Sequence, residues 1–104
     1  MNDITVSELK KRLETGNQNF IFIDVREPYE YAEFNLGATL IPLGTVVQAA
    51  TAGDLSDHKA DEIIVHCRSG ARSGQAKMML MQMGFENVRN VEGGVLAWQQ
   101  EFGK

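Results

Sequence analysis

An α/β fold is predicted by a pattern in which a short apolar run leads into a segment with helical spacing. The run Ile63–Val65 is apolar and β-branched, which is typical of a buried strand. It is followed by Ala76, Leu80 and Met83, which have the spacing of one helix face. A second apolar run, Phe20–Ile23, lacks the polar alternation of a half-exposed strand. The sequence therefore predicts strands that are covered on both faces.

The first third of the chain has the signals of a helix, a strand and a second helix. Thr5 and Glu8 have the spacing of a capping box, and Gly16 suits the position that ends the helix begun there. Three apolar residues have the spacing of its buried face: Val6, Leu9 and Leu13. A polar turn is expected over Asn17–Asn19, before the first strand. Pro28 favours the first position of a short second helix.

The later elements follow the same rules. Thr39–Ile41 is expected to form a short strand that Pro42 stops. Val46–Ala50 gives a weak helix signal, and Val88–Val91 is expected to be the last strand. Gly93–Gly94 then predicts a close-packed turn into a final helix.

Length and composition predict one compact domain over residues 1–104. The net charge of −4 argues against binding to nucleic acid or to a membrane surface. No apolar stretch approaches the roughly 20 residues of a membrane span, and the first residues lack a signal-peptide core. The one cysteine allows no internal disulfide and no paired-cysteine metal motif. A cytoplasmic location is the simplest expectation.

The one cysteine lies where the strand Ile63–Val65 gives way to a helix expected to begin at Ser73. Unpaired backbone N–H groups at a helix N-terminus attract anions, and Arg68 and Arg72 add two positive charges. We therefore expect Cys67 to have a lowered pKa and to be nucleophilic at neutral pH. Strand alternation points His66 away from Cys67, so His66 is interpreted as a hydrogen-bonded structural residue rather than a base.

Four stretches of the chain then identify a family. The loop HCRSGARS resembles the active-site loop of rhodaneses, which are sulfurtransferases that carry a persulfide on cysteine. The stretches FIDVREPYEY, GATLIPL and VEGGVLAWQ are similar to other segments of that family, in the expected order. The resemblance implies a three-layer α/β/α fold with a central parallel sheet of about five strands.

The resemblance also implies the chemistry of the site. Cys67 is the expected catalytic residue, which takes sulfane sulfur from thiosulfate or a persulfide donor and passes it to a thiol, to cyanide or to an acceptor protein. The expected substrate-binding residues are the rest of the loop: Arg68, Ser69, Gly70, Ala71 and Arg72. No metal and no organic cofactor are implied. Arg68 favours thiosulfate as donor, although Ser69 stands where some thiosulfate enzymes carry lysine.

Three further residues are candidate supports of the loop. Ser73 lies at its helical end, and Asp24 and Arg26 follow the first strand. Asp24 is expected either to orient an arginine of the loop or to pair with Arg26. The segment Phe34–Leu36 departs from the family pattern, which has a histidine where Asn35 stands. Only the turn glycine, Gly37, is carried over there.

Two other functions fit parts of the sequence. A rhodanese-like binding or sulfur-carrier module that serves one partner protein would share the fold and the loop. A cysteine phosphatase or arsenate reductase of related fold would need five residues between its cysteine and arginine. Only four separate Cys67 from Arg72, so we expect the loop to be too short to wrap a tetrahedral oxyanion.

Overall fold

Helices and strands alternate along the chain in the computed structural model, which describes residues 3–16 and 19–103. The helices are α1 (Val6–Glu14), α2 (Pro28–Glu33), α3 (Val46–Ala52), α4 (Ala71–Gln82) and α5 (Gly94–Phe102). The strands are β1 (Ile21–Asp24), β2 (Thr39–Leu40), β3 (Glu62–His66) and β4 (Asn87–Asn90). A single 3₁₀ turn, Leu43–Thr45, precedes α3. Most of the predicted turn at Asn17–Asn19 lies outside the described residues.

The described strands form one parallel sheet in the order β2-β1-β3-β4. Ile4 adds only an isolated parallel bridge to Val91 beyond β4, because Thr5 already caps α1. The described sheet therefore has four strands and one bridge, where the family resemblance implied about five strands. In this register Asp24 lies beside His66, and Val65 lies beside Asn90. The carboxyl ends of β1, β3 and β4 consequently meet at one edge of the sheet.

Helices cover both faces of the sheet, which confirms the three-layer α/β/α fold. On one face, Ile63 and Val65 pack with Ala76 and Leu80 of α4 and with residues of α3. On the other face, Ile64 packs in a cluster built mainly from α1 and α5. The alternation of β3 thus assigns successive side chains to opposite cores. Within the described part of the chain, no helix is both long and apolar enough to cross a membrane.

The helix after the cysteine begins earlier than its pattern indicated. The sequence predicted entry at Ser73, whereas α4 starts at Ala71. Gly70 is the reason, because its φ of +100° reverses the chain and lets it act as the cap residue. Arg72 and Ser73 therefore belong to the first helical turn, and their directions are fixed by the helix.

Candidate active site

The Cys67 loop is a tight turn around one sulfur atom. Cys67 directly follows β3, and the chain curls back so that two backbone N–H groups point at its Sγ atom. The nitrogen of Gly70 lies 3.2 Å from Sγ and that of Ser73 lies 3.3 Å away, and both donate hydrogen bonds. These amides belong to the N-terminal end of α4, where the helix itself offers them no acceptor. The loop therefore supplies a ready-made site for a negatively charged sulfur.

The pKa of the Cys67 thiol is lowered from its ordinary value. Burial acts against this and raises the pKa, because it disfavours the charged form. Hydrogen bonds from the Ser73 side chain and from the N–H groups of Ser73, Gly70 and Ser69 outweigh burial. The lowered pKa thus depends mainly on donors within the loop, whereas the sequence pointed equally to the flanking arginines.

Asn90 at the end of β4 braces the loop, and the sequence analysis missed it. Its side-chain Nδ2 donates to the Gly70 carbonyl at 3.0 Å, and its Oδ1 lies 2.5 Å from the Ser73 hydroxyl. The Asp3 carboxylate in turn accepts from the Asn90 backbone N–H at 3.0 Å. Asparagine is uncommon in strands, so its place within the predicted strand Val88–Val91 was a usable signal of a polar role, whereas its partners depend on the strand order.

The Ser73 hydroxyl has one hydrogen and two acceptors within reach. Its Oγ lies 3.3 Å from Cys67 Sγ and nearer still to Asn90 Oδ1. Since a thiolate is the stronger acceptor, we expect the hydroxyl to serve the sulfur when Cys67 is ionised.

Ser73→Ala is expected to raise the pKa of Cys67, because the side-chain donor to the thiolate is lost. The measurement is the pH dependence of alkylation by iodoacetamide, whose midpoint should move to higher pH. Ser69→Ala is the matched control, since the Ser69 side chain is exposed and only its backbone N–H contributes. An unchanged midpoint in Ser73→Ala would mean that the hydroxyl is committed to Asn90.

Arg72 pairs with Glu30 of α2 rather than with Asp24, the acid that the sequence suggested. Its Nη1 and Nη2 atoms lie 2.7 and 2.8 Å from the two Glu30 oxygens. The ion pair lowers the pKa of Glu30 to about 2 and raises that of Arg72. Arg72 therefore links the first turn of α4 to α2 through an ion pair. Its predicted role in substrate binding stays a prediction.

Asp24 and Arg26 form a buried ion pair beside the loop. Arg26 Nη2 lies 2.7 Å from Asp24 Oδ2, and Arg26 Nε lies 3.0 Å from both carboxylate oxygens. Arg26 Nη2 also donates to the Phe34 carbonyl at 2.6 Å. Of the two roles considered for Asp24, pairing with Arg26 is therefore the one observed.

The segment Phe34–Leu36, which departs from the family pattern, is held by hydrogen bonds between the Asn35 side chain and nearby backbone groups. Asn35 Nδ2 donates to the Tyr31 carbonyl at 3.1 Å, and its Oδ1 accepts from the Gly37 N–H at 2.9 Å. Gly37 has a φ of +88°, which agrees with its prediction as the turn glycine. Asn35 thus holds α2 to the following turn through its own amide.

Arg68 borders a cavity of about 130 Å³ next to the loop. The lining includes four charged residues: Arg26, Glu30, Glu33 and Arg68. Its remaining residues are Phe34 and, from α5, Val95, Leu96 and Gln99. The side chain of Arg68 is exposed and has no hydrogen-bond or ion-pair partner among the described residues. It is therefore the cation of the loop that remains available to an anionic ligand.

The start of α5 is packed against the backbone of the loop. The Val95 N–H donates to the Cys67 carbonyl, and the Leu96 N–H donates to the Arg68 carbonyl, each at 2.9 Å. Gly94 has a φ of +58°, and a Cβ atom there would lie 2.4 Å from the Cys67 carbonyl oxygen. The close-packed glycine turn that the sequence predicted is thus confirmed. The start of α5 fixes the backbone of Cys67 and Arg68 through these two hydrogen bonds.

His66 corrects one interpretation of the sequence. It is completely buried, but neither ring nitrogen has a hydrogen-bond partner among the described residues, and its Nε2 lies 3.6 Å from Asp24 Oδ2. Burial lowers the pKa of His66 to about 4, so the ring is neutral at physiological pH. Its ring lies 5.2 Å from that of Phe22. His66 is therefore a neutral side chain packed in the core. Separately, no group of three or more His, Cys, Asp or Glu side chains in the described ranges could hold a metal ion.

Comparisons with known proteins identify the family of the chain. The family model described as "Rhodanese-like domain" matches residues 5–101. The chain is 33% identical to "Sulfurtransferase" of Allochromatium vinosum, over 94% of this chain and 88% of that protein. It is 36% identical to "Thiosulfate sulfurtransferase 18" of Arabidopsis thaliana, over 91% of this chain and 76% of that protein. A rhodanese-like domain protein from Staphylococcus aureus superposes with a TM-score of 0.78 at 32% identity, covering 94% of this chain and 91% of that one. The chain therefore belongs to the rhodanese-like family.

Proposed function

We propose that this protein is a sulfurtransferase that moves sulfane sulfur from thiosulfate or a persulfide donor to a thiophilic acceptor through a persulfide on Cys67. The observation that carries the proposal is the set of N–H groups directed at Sγ, with the lowered pKa that they cause. A thiolate is the nucleophilic form of cysteine, and the same donors would also stabilise a persulfide anion. Relatives named sulfurtransferases support this reading.

The proposed reaction has two balanced steps. The Cys67 thiolate attacks the outer sulfur of thiosulfate, a new S–S bond forms, and the old S–S bond breaks with its electron pair leaving on sulfite. An acceptor such as cyanide then attacks the terminal sulfur of the Cys67 persulfide. Thiocyanate is released, and the electron pair of the broken bond returns to Sγ as the thiolate. Because only 1% of the Cys67 surface is exposed, the site favours small donors over bulky ones.

Steady-state kinetics test this scheme. Thiocyanate formation should be measured while thiosulfate and cyanide are varied together, and the covalent intermediate predicts ping-pong behaviour with parallel reciprocal plots. Intersecting plots would instead require both substrates to be bound at once. Absence of turnover with thiosulfate and with a persulfide donor would favour the binding-module alternative.

Arg68 and Arg72 are expected to give different mutant phenotypes. Arg68→Ala should raise the KM for thiosulfate about tenfold or less, because a partly exposed charge that contacts the anionic donor is lost. The effect should shrink as salt is added, and a neutral donor should be little affected. Arg72→Ala leaves the Glu30 carboxylate without its partner, so activity with every donor or stability should fall.

Glu30→Gln is the control for the Arg72 variant, since it breaks the same ion pair and keeps Arg72 in place. If Arg72 acts only by holding the loop, the two variants should behave alike. Donor-selective losses in Arg72→Ala that are absent in Glu30→Gln would assign Arg72 to the substrate site. No change in Arg68→Ala would leave the backbone N–H groups as the anion site.

The proposal also includes the extent of the domain, the acceptor and the location of the protein. Residues 1–104 act as one domain, the acceptor in the cell is a small thiol or an acceptor protein, and the location is the cytoplasm. A sulfur carrier for one partner would use the same Cys67 persulfide and would differ only in its acceptor.

A further inference from the structure

The cavity beside Arg68 has a balanced charge. It is lined by two arginines and two glutamates, although the donor thiosulfate is a dianion. Arg26 is already neutralised by Asp24, and Glu30 is already neutralised by Arg72. Arg68 and Glu33 remain, one cation and one anion from different elements. Among the described residues neither side chain has a hydrogen-bond or ion-pair partner. A ligand that carries both charges would match this lining better than an anion does.

The size and position of the cavity further restrict such a ligand. Its volume of about 130 Å³ lies below the roughly 300–1,000 Å³ of pockets that hold drug-sized ligands, so it suits a small molecule. Phe34 and Val95 supply apolar surface, and the Val95 N–H is bonded to the Cys67 carbonyl. A small ligand in the cavity would therefore lie next to the loop that holds the reactive sulfur.

We propose that this cavity is the acceptor subsite for a small zwitterionic thiol of the α-amino-acid class, whose carboxylate is bound by Arg68 and whose ammonium is bound by Glu33. The inference rests on the proposed function. The thiolate of the acceptor attacks the terminal sulfur of the Cys67 persulfide, and a new S–S bond forms. The bond to Sγ breaks, and its electron pair restores the Cys67 thiolate. In a ping-pong reaction Arg68 can serve the donor first and the acceptor afterwards, because the two do not bind together.

Four thiols separate the contributions of the two charges. They are cysteine, cysteamine without the carboxylate, 3-mercaptopropionate without the ammonium, and 2-mercaptoethanol with neither. Protein loaded with thiosulfate and freed of excess donor should be mixed with each thiol, and the rate of sulfur removal should be compared at equal thiolate concentration. Cysteine is expected to react fastest. Equal rates for all four thiols would overturn the proposal.

Glu33→Gln tests the ammonium site. We expect it to slow transfer to cysteine and cysteamine about tenfold, the loss typical of one charge-assisted contact, with 3-mercaptopropionate and cyanide unchanged. Glu92→Gln is the charge-matched control, because Glu92 is also exposed and does not line the cavity. Equal slowing of all acceptors, or no slowing with cysteine, would contradict the role of Glu33.

A binding measurement separates this subsite from the sulfur chemistry. S-Methylcysteine carries both charges and no reactive thiol, so its binding can be followed by NMR titration without any turnover. We expect Glu33→Gln to weaken binding about tenfold and Glu92→Gln to leave it unchanged. Absence of binding to the unsubstituted protein would overturn the subsite even if thiosulfate and cyanide still gave thiocyanate. Binding without turnover of either thiosulfate or a persulfide donor would support a zwitterion-binding site in the cavity and reject the proposed function.

Discussion

Cys67→Ser should abolish thiocyanate formation from thiosulfate and cyanide, with a loss of about a thousandfold or more. A serine hydroxyl has no thiolate-like form near neutral pH, and it cannot form the persulfide on which both steps depend. The fold should be retained, because oxygen is smaller than sulfur and can accept hydrogen bonds from Gly70 and Ser73 in the same place. Steady-state rates together with circular dichroism and thermal melting of the variant make the test.

Ser69→Ala is the matched control for this loss. It alters an exposed side chain of the same loop but keeps the backbone N–H through which Ser69 contributes to the site, so it should retain most of the activity. A Cys67→Ser protein that melts normally and still turns over at a rate near that of the unsubstituted protein would rule out the Cys67 persulfide.

Gly94→Ala should produce the largest loss of stability of any single methyl group added near the site. The new Cβ would lie 2.4 Å from the Cys67 carbonyl oxygen and 2.6 Å from that of Arg68, and neither backbone atom can rotate away. Overpacking and an L-residue at a φ of +58° should together cost about 2–5 kcal/mol. The melting temperature should fall by roughly 10–30 °C, and the remaining folded protein should transfer sulfur poorly.

Gly44→Ala provides the comparison. It adds the same methyl group where no atom of the described residues lies within 4 Å and where φ is not positive, so the stability of the protein should change little. Equal melting temperatures for the two variants would mean that α5 and the Cys67 loop can separate without cost. The close contact at Gly94 would then have no role in placing the loop.

The sequence predicted the strand–loop–helix unit well because its signals are local. The apolar run before Cys67, the glycine at position 70 and the helical spacing after it all lie within a few residues. The capping role of Thr5 and the first-turn position of Pro28 were likewise correct, since both depend on neighbouring backbone groups. The family motifs then supplied the parallel sheet and the layers that local patterns do not specify.

The pairings across the molecule could not be predicted in the same way. Glu30, the partner of Arg72, lies on another helix 42 residues away along the chain. Asp24, the acid that the sequence suggested, is paired with Arg26 instead. Asn90 reaches the loop only because β4 lies next to β3 in the finished sheet. Such contacts depend on strand order and helix rotation, which no pattern along the chain records.

Mass spectrometry of the intact protein after thiosulfate treatment tests the central claim most directly. We predict one added sulfur atom per chain, located on the Cys67 peptide, lost on addition of cyanide and absent from Cys67→Ser. An unsubstituted protein that remains unmodified while it turns over thiosulfate, or a sulfur adduct on another residue, would contradict transfer through Cys67.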